Sequence, residues 1–139
     1  MSDPSLAALR VLVADDDPDQ RLLLRRLFAR VGIDDVVEAA DGAAALAQAR
    51  ATNPALIVLD LGMPVLSGIE VLPALRDAVP GARIVVLSSF PRRRLADAVR
   101  ERGAMGYVEK DVPSDRLVGA GRAGRPAPGT GPGASPGGC

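Results

Sequence analysis

Five short apolar runs recur along this chain, and segments with helical apolar spacing separate them. The runs cover residues 10–14, 36–38, 55–60, 83–88 and 105–109. The third is apolar up to its terminal aspartate, as a central parallel strand buried on both faces should be. Helix punctuation falls between the runs. Asp17-Pro18-Asp19-Gln20 supplies an N-cap, a proline at the first helical position and a glutamine spaced for a capping box. The helix that follows points Leu23, Leu24, Leu27, Phe28 and Val31 inward and stops at Gly32.

Asp41-Gly42 opens an Ala-rich helix that runs to about Thr52, where Asn53-Pro54 breaks it. Ser67-Gly68-Ile69-Glu70 has capping-box spacing and starts a helix to about Val79, with Pro73 tolerable in its early turns. Residues 91–102 form a further helix ended by Gly103, and a last one starts near Pro113. Alternating strands and helices with right-handed crossovers predict an α/β fold: a doubly wound parallel sheet with helices on both faces, a three-layer sandwich.

The charged residues at the ends of these runs change the picture. Asp15 and Asp16 follow the first, Asp60 closes the third and Lys110 follows the fifth. Ligand sites of open α/β sheets lie outside the carboxyl ends of the strands, so these groups should converge on one edge. Each alone is ordinary, a loop acid, a cap or a solvated lysine. Together they are crowded carboxylates that repel, and a cation is the reason for them to stay close. A hard cation such as Mg²⁺ prefers oxygen ligands, with Asp16 and Asp60 binding directly and Asp15 through water. An Asp60 oxygen could then attack phosphorus in line, with the cation and Lys110 neutralising the phosphoryl oxygens. Ser88 closes the fourth run and offers a hydroxyl to the new phosphoryl group.

Composition removes other classes. At 139 residues the chain fits one domain with a real core. Residues 119–139 carry Arg122 and Arg125 and no acid, so this tail is +2 and residues 1–118 are −2. Neither value suggests a nucleic-acid-binding domain, and one Tyr, two Phe and no Trp leave little for base stacking. The absence of histidine removes His-based triads and phosphohistidine from the chain itself. The single Cys139 permits no internal disulfide and suits a reducing cytosol, and neither a membrane-spanning run nor a secretory signal is evident. From Gly119 onward, eight Gly and four Pro among 21 residues predict a disordered tail. Gly119 and Gly121 weaken the last helix by roughly 1 kcal/mol each relative to Ala.

Four segments carry a family resemblance: Val-Leu-Val-Ala-Asp15-Asp16-Asp-Pro, Leu-Asp60-Leu-Gly-Met63-Pro64-Val-Leu-Ser-Gly68, Ile-Val-Val-Leu-Ser88-Ser89 and Gly106-Tyr107-Val-Glu-Lys110. With these the chain resembles the response regulator receiver domains of two-component (phosphorelay) signalling, over roughly residues 9–118, between an N-terminal extension at 1–8 and the tail. The resemblance implies a flavodoxin-like fold with strand order 2-1-3-4-5. It implies that Asp60 is the phospho-acceptor, that Asp15 and Asp16 are the acid pair, and that the Gly62 carbonyl is a main-chain metal ligand. By the same resemblance Ser88 is the switch hydroxyl, Tyr107 the switch aromatic and Lys110 the phosphate-contacting lysine. The Mg²⁺-dependent donor would be a histidine kinase or phosphotransfer protein, and the output a contact with a downstream protein. A cytoplasmic, single-domain switch is expected, one that is not a turnover enzyme and is a monomer or a weak phosphorylation-dependent dimer.

Some positions depart from the family pattern. Asp111 follows Lys110 where many receivers have proline, so a cis peptide is not expected there. Lys-Asp is familiar from receivers that precede a helix-turn-helix domain, although no such domain is expected after residue 118. Ser67 stands where an acid often precedes Gly68, and Gly62 leaves the position two after the acceptor without a side chain. Phe90, two after Ser88, adds bulk that could shield the phosphoryl group from water. Arg92, Arg93 and Arg94 open a helix against its dipole, which fits a solvated face or a docking surface for an acidic partner. Two rival functions remain: a phosphorylation-independent interaction module, and a phosphohydrolase with an Asp15-x-Asp17 nucleophile pair.

Overall fold

Apolar strands of only four to six residues must find neighbours to satisfy their backbone, and here each does so in parallel. The computed structural model describes residues 9–63 and 65–110, apart from the side chain of Arg92. Its strands are β1 (Arg10–Ala14), β2 (Asp35–Ala39), β3 (Leu56–Asp60), β4 (Arg83–Ser88) and β5 (Gly106–Glu109). They form one sheet in the order β2-β1-β3-β4-β5. Between them lie α1 (Pro18–Arg30), α2 (Gly42–Thr52), α3 (Gly68–Ala78) and α4 (Arg92–Glu101). This is the doubly wound parallel architecture, and its strand order is the one expected. The last helix and the terminal segments expected at 1–8 and 119–139 fall outside the described residues, as does the 110–111 peptide.

Alternation along the strands divides the core into two layers. Val11, Val13, Val58 and Leu87 face α1, whose Leu24 and Phe28 lie four residues apart on one stripe. Leu12, Ile57, Leu59 and Val86 face the opposite layer, which holds Ala45 and Ala49 of α2, Val71, Leu72 and Leu75 of α3, and Val99 of α4. Leu12, Leu24, Phe28, Ile57 and Leu59 are all at most 1% exposed. Burial of each contributes about 1.5–3 kcal/mol. The small alanines let α2 sit close to the sheet. No helix among the described residues is long and apolar enough to cross a membrane.

The helix ends follow the sequence with two corrections. Leu23, expected to face inward, is 48% exposed. At 100° per residue it lies off the Leu24–Phe28 stripe, and Arg21 and Arg25 occupy the flank of that stripe instead. The capping box expected at Gln20 is also absent, because the Asp17 N–H already donates to Asp15 Oδ1 at 2.9 Å. Asp17 still caps α1, accepting from Asp19 N–H. The Ser67–Glu70 capping box does form, and α3 continues through Pro73. Gly32, at φ 92°, lets Ile33 N–H reach back to the Phe28 carbonyl and close α1.

Candidate functional site

The register of β1 on β3 sets the site. Ala14 pairs with Leu59, so the next residues, Asp15 and Asp60, are brought side by side at the carboxyl edge. Asp15 N–H donates to the Ala39 carbonyl at 3.0 Å and extends the ladder one residue beyond β1. On the far side, Lys110 N–H donates to the Ser88 carbonyl at 2.8 Å and fixes where the lysine leaves the sheet. Its ammonium lies 3.2 Å from Asp60 Oδ1 and 3.4 Å from Asp15 Oδ2. Asp16 is exposed above the buried Asp15 and Asp60, and one oxygen from each of the three lies within 4.8 Å of the others. Residues scattered from 15 to 110 therefore meet as the spacing requires.

Asp15 is the stressed member. It is 1% exposed, and although Oδ1 accepts from Asp17 N–H, Oδ2 has no hydrogen-bond partner. At 3.4 Å the Lys110 ammonium neutralises that oxygen without serving it as a good hydrogen bond. Burial raises the Asp15 pKa above its ordinary 3.8 and the Asp60 charge adds to this, while the Asp17 amide and Lys110 oppose it. For Lys110, burial pulls the pKa down, but Asp15 and Asp60 outweigh it and the net shift is upward. A buried, unpartnered carboxylate oxygen in an all-oxygen cluster is the donor set a hard divalent cation fits.

Because the folded Asp15 pKa is raised, the folded chain binds a proton more readily than the unfolded chain. That contribution is present below pH 3.8 and is lost as pH rises through the raised value. At neutral pH in chelator, Asp15→Asn should therefore stabilise the protein by about 1 kcal/mol, the low end of the cost of an unsatisfied buried group. Chemical denaturation at pH 7 and at pH 3.5 checks it, and the gain should shrink at the lower pH.

The other expected site residues lie around this cluster. Ser88 is 1% exposed, and its Oγ accepts from Phe90 N–H at 3.0 Å. Tyr107 is 7% exposed and turned inward, and its hydroxyl donates to the Phe90 carbonyl at 2.8 Å. One residue, Phe90, thus holds both side chains through its backbone, while its ring is half exposed. Gly62 is exposed, with open space where a Cβ would project, and its N–H makes a long 3.4 Å contact with Asp60 Oδ1. Three residues on, Val65 adopts φ 68°, a left-handed conformation costly for a β-branched residue, in the loop that follows Asp60. Asp17 carries the α1 cap rather than joining the cluster.

Sequence reasoning missed Arg21 and Glu38. Arg21 Nη1 donates to the Asp15 carbonyl at 2.6 Å, and its Nε pairs with Glu38 Oε1 at 2.8 Å. Hydrogen bonding from Arg25, then from Arg21, holds the Glu38 carboxyl below its ordinary pKa of 4.5 despite partial burial. A signal existed, since Glu38 follows Val36-Val37 as a charged residue within the strand.

A cluster of buried acids bridged by a lysine at the carboxyl edge of a 2-1-3-4-5 sheet defines a receiver domain, and the chain belongs to the response regulator receiver domain family, which it matches over residues 11–122. Receiver domains are signalling modules rather than enzymes. The transcriptional regulatory protein MctR of Rhizobium johnstonii is 38% identical over 117 residues, covering 81% of this chain and 53% of that protein. The chain spans about half the length of that and similar curated relatives. Among solved structures, a LuxR-family two-component response regulator from Aurantimonas sp. SI85-9A1 superposes with a TM-score of 0.80 at 36% identity, covering 86% of this chain and 89% of that one. A Burkholderia pseudomallei response regulator, solved with a phosphorylated aspartic acid, calcium ion and citrate, gives 0.75 at 29% identity, covering 81% and 66%.

Proposed function

We propose that this receiver unit accepts a phosphoryl group on Asp60 from a histidine kinase or phosphotransfer protein, in a reaction dependent on Mg²⁺. The observation that carries this is the Lys110 ammonium held between Asp15 and Asp60, with Asp16 in reach of both. Such a site places three carboxylates and an ammonium where a phosphoryl group would arrive. The phosphorylated aspartic acid and calcium ion of the Burkholderia relative support the same chemistry.

In the proposed step, an Asp60 carboxylate oxygen forms a bond to phosphorus as the donor's P–N or P–O bond breaks in line, and the leaving group departs with the electron pair. Asp15, Asp16, Asp60 and the Gly62 carbonyl would hold the cation, which supplies neutralisation of the phosphoryl oxygens when bound. Lys110 contributes a second positive charge from the opposite strand. Ser88 gives up the Phe90 amide and donates its hydroxyl to a phosphoryl oxygen. The Phe90 backbone then moves, Tyr107 loses or remakes its bond, and the face built on α4 and β5 is remodelled for a downstream protein.

The phosphohydrolase alternative loses its second carboxylate, because Asp17 is engaged as the α1 cap. Incubation with a small acyl phosphate and Mg²⁺ should give one phosphoryl adduct by intact mass, mapped to Asp60 and absent in chelator. A folded protein that gains none would remove this reading.

Phe90 also bears on the lifetime of the adduct. Its half-exposed ring belongs to the residue bonded to Ser88 Oγ, at the mouth of the site. Truncation to Ala should open a path for water and shorten the phosphoryl half-life several-fold in a loss-of-label time course.

A further inference from the structure

A polar network ties α1 to β2 beside the carboxylates. Arg21 is 17% exposed, unusually enclosed for an arginine, and its guanidinium is divided between two tasks. Nε pairs with Glu38 on β2, and Nη1 donates to the carbonyl of Asp15. That carbonyl belongs to the peptide joining Asp15 to Asp16, so its orientation sets the direction in which Asp16 leaves the chain. Asp15 N–H is fixed by Ala39, and Asp15 Oδ1 by Asp17 N–H. Arg21 adds a restraint at the Asp15 carbonyl, and a charged donor makes it a strong one.

Arg25 provides an internal comparison. It reaches the same Glu38 carboxylate at 2.7 Å and the Val36 carbonyl at 2.9 Å, and it too ties α1 to β2. Its guanidinium hydrogen-bonds to Glu38 and Val36, away from the Asp15 carbonyl. If the network served only to fasten the helix to the sheet, the two arginines would be equivalent. Their different partners separate fastening from aiming.

We infer that Arg21, oriented by Glu38, is a positioning residue that aims the Asp15–Asp16 peptide and thereby sets the affinity of the acid pair for a divalent cation. Arg25 fastens α1 without this effect. The inference rests on the proposed cation-dependent reading of the site and deepens it. Groups that orient ligands commonly govern metal affinity by about 10–100-fold when lost.

The test compares the 139-residue wild type with Arg21→Gln, Arg21→Lys and Arg25→Gln. Mg²⁺ midpoints are read from backbone amide shifts of residues 15–17, and amide exchange is measured in chelator. Arg21→Gln should weaken the Mg²⁺ midpoint about tenfold and lower the exchange protection of the Asp17 amide. Acyl phosphate labelling should recover to near the wild-type rate at saturating Mg²⁺, because the defect lies in affinity. Arg21→Lys keeps a cationic donor and should restore part of the midpoint. Arg25→Gln should lose comparable denaturation stability while keeping the wild-type midpoint.

Equal midpoint shifts in Arg21→Gln and Arg25→Gln would make the effect one of helix fastening and overturn the inference. An unchanged midpoint in Arg21→Gln, with wild type binding normally, overturns it as well. A wild type that shows no saturable Mg²⁺ response overturns the functional reading itself and this inference with it.

Discussion

An Asp60→Ala chain should take up no phosphoryl label from an acyl phosphate, even at high Mg²⁺, while remaining folded by circular dichroism. The site holds three carboxylates, and their surroundings are not equivalent. Asp15 has one oxygen bonded to the Asp17 amide and the other sealed in the interior at 1% exposure of the residue, which leaves no open line for attack. Asp16 is open to water, so its carboxylate is not enclosed as those of Asp15 and Asp60 are. Asp60 combines the features a nucleophile needs. It terminates the central strand β3, its oxygen lies 3.2 Å from the Lys110 ammonium, and it meets only a long amide contact from Gly62. Label that moved to Asp16 in the variant would show that reach, rather than this environment, selects the acceptor. Persistence at the wild-type level would remove Asp60 from the mechanism.

The second large effect is expected at a residue with no functional group. Gly68, the first residue of α3, presses against the end of β3 so closely that a Cβ would overlap the backbone carbonyl of Asp60. The obstruction is backbone, so no side chain can rotate away. Its amide also donates to the Leu61 carbonyl at 3.2 Å. Gly68→Ala should cost about 3 kcal/mol or more, at the upper end for overpacking. That corresponds to a fall in melting temperature of about 10 °C or more. Because relief requires shifting Asp60 itself, labelling should slow even at temperatures where the variant is fully folded. Gly81, with open space around its Cβ direction and no part in the site, is the control, and Gly81→Ala should change both quantities little.

Much of this architecture was legible because parallel strands buried on both faces leave a plain apolar signature. The ends of β1 and β4 fall where the runs end, and β3 and β5 differ by one residue at their starts. The convergence of Asp15, Asp16, Asp60 and Lys110 was readable for the same reason, since strand ends in this topology share an edge. Contacts made by backbone atoms were not readable. Nothing in the sequence announces that Arg21 reaches the Asp15 carbonyl, or that Phe90 holds Ser88 and Tyr107 through its amide and carbonyl. Leu23 misled because it adjoins a true core residue, and helical phase rather than hydrophobicity decides which of two neighbouring leucines is covered. Gln20 misled because the Asp17 amide it was expected to bind had a nearer acceptor in Asp15.

The placement of Lys110 has a consequence during synthesis. The acid pair stands at the end of the first strand and Asp60 at the end of the third, but their shared counter-charge enters only behind the fifth. A chain emerging from the ribosome builds its N-terminal half first. Until residue 110 is free, Asp15 and Asp60 face one another without the ammonium, and folding of the early strands proceeds against that repulsion. Docking of β5 should therefore strengthen the nascent sheet as it brings Lys110 to the two acids. Chains arrested before Lys110 should be markedly more sensitive to protease than chains arrested after its release.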